Sequence, residues 1–207
     1  MNIAVLISGR FYNTDNKCIN ILINDNKDSK FKTFLHIWEI DYTPKKIPIK
    51  NDIDKIVSNY NCNDYIVEDF NKVLKNNEFS NTYYIQNYNR YRNLQQIIDN
   101  KYDIYIIMRP DIIYIKNLNL QKLNVKDNTI YVYRSPDFAK KICYDFCDWF
   151  LLFNNSVFEK IKEVFKNKMA FMYSNEYTLK SILLKNNFNI VTLGQVSVDI
   201  KHKYFHN

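Results

Sequence analysis

Glycine and proline are scarce in this chain, whose 207 residues contain only 2 Gly and 4 Pro. This argues against a fibrous or disordered chain, because both classes are rich in these residues. The sequence contains neither GxGxxG nor GxxxxGK[ST]. A dinucleotide-binding fingerprint and a P-loop are therefore both excluded.

Cysteine is also sparse, and its spacing argues against two kinds of site. Cys18, Cys62, Cys143 and Cys147 form no CxxC pair, and no histidine lies near the last two in sequence. We therefore expect neither a zinc site nor a disulfide framework. Free thiols in a reducing compartment are the simplest interpretation.

Long apolar runs are absent too. The opening segment, MNIAVLISGRF, is too short for a signal peptide or a membrane anchor, and no basic region precedes it. No other stretch approaches the length of a membrane span. We expect a soluble, cytoplasmic protein, which can still act on a membrane-bound acceptor.

The chain does have an excess of positive charge, +7 at neutral pH, but Lys and Arg are scattered among the acidic residues. A nucleic-acid-binding protein usually concentrates its basic residues on one stripe. The pattern therefore favours a phosphate-bearing small molecule or an anionic surface, and no nucleic-acid partner. A module that binds single strands through its many aromatic residues remains the alternative.

Short apolar runs alternate with helical patterns along the chain. They predict one α/β domain, 1–207, with a mostly parallel sheet and helices on both faces. Ligands bind such sheets outside the carboxyl ends of the strands. We predict strands at 2–8, 32–38, 64–67, 102–108, 129–133, 149–154 and 188–193, helices at 14–24, 53–59, 81–100, 156–166 and 175–186, and a proline-containing loop at 42–50.

The first predicted strand ends in Ser8-Gly9-Arg10. Glycine permits a tight turn and a close approach of the backbone to a ligand. Arginine can grip a phosphate or carboxylate with two hydrogen bonds. The sequence therefore indicates a turn that binds a phosphate or carboxylate of a ligand. An ordinary turn with a solvated arginine is the other interpretation.

A second strand end, within DIYIIMRPDIIYI, contains Arg109, Pro110 and Asp111. Proline cannot donate a ladder hydrogen bond, so the strand should end or bulge there. Asp111 would then lie at the carboxyl end of the sheet, where a carboxylate can bind a divalent cation that bridges two phosphates. Arg109 would face the phosphates or fold back onto a carboxylate, and a purely structural Arg–Asp pair is the other interpretation.

In the order of its features the chain resembles glycosyltransferases of the GT-A (nucleotide-diphospho-sugar transferase) fold, in particular small sugar transferases of large DNA viruses and WavE-like lipopolysaccharide and capsule enzymes. The resemblance rests on SGRF at 8–11, HIW at 36–38, YYIQNYNRYRNL at 83–94, RPD at 109–111 and NEYTL at 175–179. GT-A enzymes commonly have D-x-D where this chain has Arg109-Pro110-Asp111. Asp111 matches the metal ligand, and Arg109 replaces the first aspartate.

The resemblance implies further roles. Glu176 matches the carboxylate that deprotonates the acceptor hydroxyl, a task that suits a positioned acid. Asp148 is the second candidate base, or a sugar ligand, and Asp145 beside it can raise its pKa. His202 or His206 would complete a Mn²⁺ or Mg²⁺ site. The structural interpretations are helix capping by Asn175 and Glu176, a solvated loop acid at 148 and an exposed histidine tail.

The tyrosine-rich helix offers further donor contacts. Its tyrosines at 83, 84, 88 and 91 can stack on a base, and Gln86, Arg90 and Arg92 can reach phosphates, whereas simple packing on the sheet is the alternative for most of them. The sequence and the resemblance together predict a glycosyltransferase with a uridine or guanosine diphosphate sugar as donor and a glycan or glycoprotein as acceptor. A catalytically inactive transferase-like domain is the alternative, and a viral source, with action in the host cytoplasm, is suggested by the resemblance.

Overall fold

A computed structural model describes residues 1–11, 16–42, 47–77, 82–114, 118–134, 147–166, 176–195 and 197–198. The strands are β1 (Asn2–Ser8), β2 (Lys30–Trp38), β3 (Ile40–Tyr42), β4 (Pro48–Lys50), β5 (Asp64–Glu68), β6 (Ile104–Met108), β7 (Ile112–Tyr114), β8 (Thr129–Arg134), β9 (Cys147–Asn154), β10 (Asn189–Gln195) and β11 (Ser197–Val198). The helices are α1 (Lys17–Asp25), α2 (Ile53–Asn59), α3 (Phe70–Asn77), α4 (Thr82–Gln95), α5 (Asn155–Lys166) and α6 (Glu176–Lys185).

The centre of the fold is a seven-stranded sheet in the order β10-β8-β9-β6-β1-β2-β5. Parallel pairing joins β1 to β2 and to β6, β2 to β5, and β10 to β8. Only β9 runs antiparallel to both of its neighbours within this sheet, β6 and β8. The expected mostly parallel α/β architecture is confirmed.

Strand β1 shows why the sheet is covered on both faces. All five residues from Ile3 to Ile7 have no exposed surface. Ile3, Val5 and Ile7 belong to one core cluster, which includes residues of α1 and α2. Ala4 and Leu6 belong to a second cluster with residues of α4, α5 and α6. Because successive side chains of a strand point to opposite faces, a continuous apolar run requires helices on both sides.

Most predicted elements are confirmed within a few residues, but three expectations need correction. The expected loop at 42–50 contains β4, which pairs with β3 as a short antiparallel ladder, and Pro48 is tolerated because it begins the strand. Helix α3 was not predicted. Asp148 lies inside β9 rather than in a loop before it, because the pairing with β6 and β8 extends that strand back to Cys147.

Candidate functional site

The carboxyl ends of β1 and β6 meet at one edge of the sheet, where Ile7 pairs with Met108. The turn that follows each strand therefore lies beside the other. Gly9 has a φ of +142°, which side-chain-bearing residues rarely adopt, and a Cβ added to it would lie 3.0 Å from Cδ of Pro110. The structure thus brings together Ser8-Gly9-Arg10 and Arg109-Pro110-Asp111, the two turns that the sequence predicted as donor-binding.

Arg109 folds back onto Asp111 in a two-pronged ion pair. Its Nε donates to Oδ1 of Asp111 over 2.8 Å, and its Nη2 donates to the other carboxylate oxygen. The Asp111 side chain is 5% exposed and that of Arg109 is 27% exposed. Of the alternatives left open by the sequence, the structure therefore selects the pairing of Arg109 with the neighbouring carboxylate.

Trp149 supports the same guanidinium from its face. The guanidinium carbon of Arg109 lies 4.5 Å from the centroid of the indole ring, which is within the range of a cation–π contact. The backbone N–H of Arg109 also donates to the Trp149 carbonyl over 3.0 Å. The first residues of β9 thus lie at the same edge as the two turns.

A buried acid that sequence analysis missed fixes the loop after β1. Asp41, 2% exposed, accepts hydrogen bonds from the Phe11 backbone N–H over 2.9 Å and from the Asn51 side-chain amide over 3.0 Å. Phe11 packs edge-on against Tyr60, whose hydroxyl donates to the Pro110 carbonyl over 3.4 Å. The available signal was an acid between the apolar residues Ile40 and Tyr42 of WEIDY.

Amide side chains of α4 hold the ends of β1 and β2 from the other face. The Asn93 side chain, which is fully buried, donates to the Ile7 carbonyl over 2.9 Å. Gln96, just after the helix, donates to the Leu35 carbonyl over 3.0 Å. Ser8, 6% exposed, follows Ile7 directly and is largely covered. Within Ser8-Gly9-Arg10, Arg10 is the residue exposed to solvent.

The two arginines predicted as donor ligands on α4 have partners within the protein. Arg90 is 4% exposed, and its guanidinium carbon lies 5.9 Å from the ring centroid of Phe165 on α5. Arg92 donates through Nε to Glu68 over 3.1 Å. The Gln86 side chain lies outside the described part of the chain. These contacts favour packing roles for both arginines, and the donor contact of Gln86 stays a prediction.

His36 and Glu68 form the centre of a buried polar cluster. His36 Nε2 lies 2.6 Å from a Glu68 oxygen, and the Tyr88 hydroxyl donates to the other oxygen over 3.1 Å. Burial lowers the pKa of His36, so the neutral ring donates to Glu68. Burial acts to raise the pKa of Glu68, but the hydrogen bond from His36 and the charge of Arg92 lower it below its ordinary value.

This cluster explains the segment HIW at 36–38 as a structural anchor. Trp38 lies nearly parallel to the Tyr88 ring, with centroids 6.4 Å apart, and meets Phe70 of α3 edge-on at 5.3 Å. Together with the bonds to Glu68, these contacts tie β2, β5, α3 and α4 to one another. Tyr88 therefore packs on the sheet, as the simpler interpretation of the tyrosine-rich helix expected.

For the two predicted catalytic residues, the structure describes the backbone but not the side chain. The backbone of Asp148 precedes Trp149 in β9 and lies at the edge of the two turns, and Glu176 begins α6. The side chains of both lie outside the described part of the chain, as do residues 145, 175, 202 and 206. The roles of Glu176, Asp148 and His202 therefore stay predictions.

A divalent cation does not fit the described residues at this edge. Both oxygens of Asp111 accept hydrogen bonds from Arg109, so a cation would have to share them with a guanidinium or displace it. Among the residues that the structure describes, no group of three or more His, Cys, Asp or Glu is arranged to hold a metal. The predicted Mn²⁺ or Mg²⁺ stays untested, and we derive no step through it.

No helix in the described ranges combines the length and the apolar character that a membrane crossing requires.

Neither a protein-family model nor a curated protein matches this sequence. Solved structures do match its fold. A nucleotide-diphospho-sugar transferase from Desulfovibrio desulfuricans shares 11% identity and a TM-score of 0.51, over 93% of this chain and 80% of the other. The 4-diphosphocytidyl-2C-methyl-D-erythritol synthase of Anaerococcus prevotii shares 10% identity and a TM-score of 0.54, over 94% and 87%.

The galactosyltransferase LgtC, solved with donor and acceptor sugar analogues, shares 12% identity and a TM-score of 0.50, over 93% of this chain and 73% of its own. At these identities the likeness concerns the fold alone. The central sheet of the described residues is mostly parallel, with β9 antiparallel to both of its neighbours, and the solved structures above match this fold over most of the chain. The chain therefore has the GT-A fold of nucleotide-diphospho-sugar transferases.

Proposed function

We propose that this protein is a glycosyltransferase that moves a hexosyl or pentosyl group from a nucleoside diphosphate sugar to a hydroxyl of a glycan or glycoprotein. The observation that supports this most is the contact between two arginine-bearing turns, 8–10 and 109–111, at the carboxyl edge of a GT-A sheet. This edge is where sheets of this kind bind their ligands.

The chemistry of the two turns suits a diphosphate. Arginine presents planar, permanently charged N–H donors that match phosphate oxygens in pairs. Arg10 is exposed, and part of the Arg109 side chain reaches solvent. Positive groups here would stabilise the charge that develops on the diphosphate as it leaves, and that is the main electrostatic demand of sugar transfer.

The transfer itself needs a base for the acceptor. In an inverting transfer, a carboxylate takes the acceptor hydroxyl proton while the acceptor oxygen bonds to the anomeric carbon. The bond from that carbon to the diphosphate breaks, and the nucleoside diphosphate keeps the electron pair. Glu176 is our first assignment for the base, from the resemblance, and Asp148 is the second, supported by its backbone position beside Trp149.

The donor base and the acceptor class follow from the same resemblance. We propose uridine or guanosine as the base, with Arg10 and the backbone at Gly9 on the donor side. The likeness of SGRF and HIW to transferases of large DNA viruses and to WavE-like enzymes supports a glycan or glycoprotein as acceptor.

Nucleotidyl transfer is the second candidate, because the synthase of Anaerococcus prevotii has this fold. The products separate the two reactions. A glycosyltransferase consumes a nucleoside diphosphate sugar and releases a nucleoside diphosphate, whereas a nucleotidyltransferase consumes a nucleoside triphosphate and a sugar phosphate and releases pyrophosphate.

A thermal-shift panel tests the proposal. Nucleoside diphosphates and their sugar conjugates are added with Mn²⁺ or with EDTA, and release of the nucleoside diphosphate is then measured for every donor that binds. A ligand of the native state raises the Tm by mass action. We expect the diphosphate of one nucleoside to raise the Tm. We also expect the sugar of the matching nucleoside diphosphate sugar to be released by hydrolysis or transferred. A folded sample that no nucleotide stabilises would contradict the proposal, and binding without turnover would indicate an inactive domain.

A further inference from the structure

We propose that the guanidinium of Arg109, held by Asp111 and Trp149, is the cation that neutralises the donor diphosphate, in place of a divalent metal. This inference rests on the proposed function and specifies its donor site. It makes Arg109 a donor-binding residue and Asp111 a positioning residue rather than a metal ligand.

The first support is the geometry of the ion pair. The side chain of Asp111 is 5% exposed, and both of its oxygens accept hydrogen bonds from Arg109 in the same turn. Two parallel N–H···O bonds fix the plane and the direction of a guanidinium more tightly than a single bond does. Asp111 therefore orients Arg109 before any ligand arrives.

The second support is the aromatic contact. The guanidinium carbon of Arg109 lies over the Trp149 ring, 4.5 Å from its centroid, while Asp111 binds the edge formed by Nε and Nη2. The group is thus held by an aromatic ring and by a carboxylate, and 27% of the side chain is exposed. A phosphate oxygen would approach from the exposed side.

The third support is the charge of the turn. A divalent cation that bound Asp111 would lie against the permanently charged guanidinium two residues away, so the two positive groups would repel each other. The preferred coordination of Mg²⁺ and Mn²⁺ is also octahedral and rich in oxygen. The described residues at this edge offer two carboxylates, Asp111, which is paired with Arg109, and Asp41, which is bonded to Phe11 and Asn51, whereas a guanidinium supplies the positive charge without any further ligand.

The two accounts make opposite predictions for Asp111→Asn. If Asp111 binds a metal, the variant loses metal-dependent nucleotide binding. If Arg109 binds the diphosphate, the asparagine oxygen keeps one of the two bonds to the guanidinium and a competing negative charge is gone, so binding weakens only in part and stays independent of metal. The Asp111→Asn variant therefore separates the accounts without relying on loss of function.

The experiment measures the Kd of UDP and of GDP by calorimetry, in EDTA and in Mn²⁺, for wild type, Arg109→Gln, Arg109→Lys and Asp111→Asn. Lys101→Gln is the matched control, since it removes one positive charge from an exposed residue that precedes the opposite end of β6. We expect wild type to bind one nucleotide equally in EDTA and Mn²⁺. Arg109→Gln should bind at least about tenfold more weakly, Arg109→Lys should recover part of that loss, and Asp111→Asn should retain binding in EDTA.

The outcomes distinguish failure of this inference from failure of the proposed function. Nucleotide binding that requires Mn²⁺ and disappears in Asp111→Asn would overturn the inference and leave the glycosyltransferase proposal intact. Failure of every nucleotide, with and without Mn²⁺, would overturn both. Should Arg109→Gln fail to fold, the metal dependence of wild type and the Asp111→Asn result still decide, because neither measurement uses that variant.

Discussion

Gly9 and Pro110 touch across the two turns that form the candidate site, and a Cβ at Gly9 would lie 3.0 Å from the proline Cδ. The contact joins two segments that lie about a hundred positions apart in sequence. Gly9 follows β1 directly and Pro110 lies two residues after β6, so each turn is shaped partly by the other. Arg10 follows Gly9 and Arg109 precedes Pro110 in sequence, so the contact joins the two turns that contain these arginines.

The first prediction concerns this contact. Gly9→Ala should lower the free energy of unfolding by about 1–3 kcal/mol because of its φ of +142°, and it should also weaken nucleotide binding because the added methyl group pushes Pro110 away. Denaturant unfolding and nucleotide titration measure the two effects.

Gly194→Ala is the matched control for Gly9→Ala. Gly194 has a similar φ of +159°, but the nearest atom that its added Cβ would meet, a Tyr133 ring carbon, would lie 3.8 Å away, in ordinary contact. Both variants should lose stability, and only Gly9→Ala should lose nucleotide affinity. Equal affinities in the two variants would show that the contact with Pro110 does not shape the donor site.

The second prediction concerns Asp41. Asp41→Ala removes the acceptor of the buried Phe11 N–H and should cost about 1–3 kcal/mol of stability. It should also weaken nucleotide binding, since the loop after β1 loses its anchor. Asp52→Ala, which removes the N-cap of α2 at a cost of about 1 kcal/mol, is a control with a comparable loss of stability and no contact with that loop. Unchanged nucleotide affinity in Asp41→Ala would separate Asp41 from the site.

The third prediction concerns pH. Burial lowers the pKa of His36 below its ordinary value of 6.5. Just below pH 6.5, His36 is therefore protonated in the unfolded chain but still neutral in the native chain. The stability that depends on neutral His36 is therefore complete above pH 6.5 and decreases as the pH falls. Glu68, whose pKa is also lowered, adds a further loss below its ordinary value of 4.5.

Urea unfolding at a series of pH values from 8 to 5 measures this loss. His36→Gln keeps an N–H donor for Glu68 and cannot titrate, so its stability should vary less over this range than that of wild type. A wild-type protein that became more stable between pH 7 and pH 6 would mean that His36 is protonated in the native state.

The fourth prediction concerns the base. Glu176→Gln should lower kcat by about 10²–10⁴-fold and leave the nucleotide Kd unchanged, because general-base catalysis acts on the acceptor and not on the donor. Asp148→Asn, measured in parallel, is the comparison. A larger loss of kcat in Asp148→Asn would transfer the role of base to Asp148.

The sequence predicted the site better than it predicted the contacts within the site. The apolar run before Arg109 had to be a buried strand, and Pro110 had to end it, because both requirements are local. The rule that parallel strands end at one edge then placed Gly9 and Asp111 together. The sequence left open which way the Arg109 side chain turns, because the guanidinium has partners that only the folded chain supplies.

Trp149 and Asp41 show where sequence reasoning stops. Trp149 was read as the first residue of a strand, but its place under Arg109 follows from the antiparallel insertion of β9 between β6 and β8. Nothing in the sequence singles out Asp41, whereas the pairing of β3 with β4 places it beside Phe11. In each case the decisive neighbour is distant in the chain.

The sequence by itself determined the α/β class, most of the element bounds and the two turns at which a ligand is expected. The reason is that the spacing of apolar residues and the backbone preferences of proline and glycine act on segments of only a few residues. The tertiary structure alone decided the direction of β9, the engagement of Asp111 by Arg109 and the burial of His36, Asp41 and Arg90. These depend on which side chains meet across the sheet, and packing between distant segments settles that question.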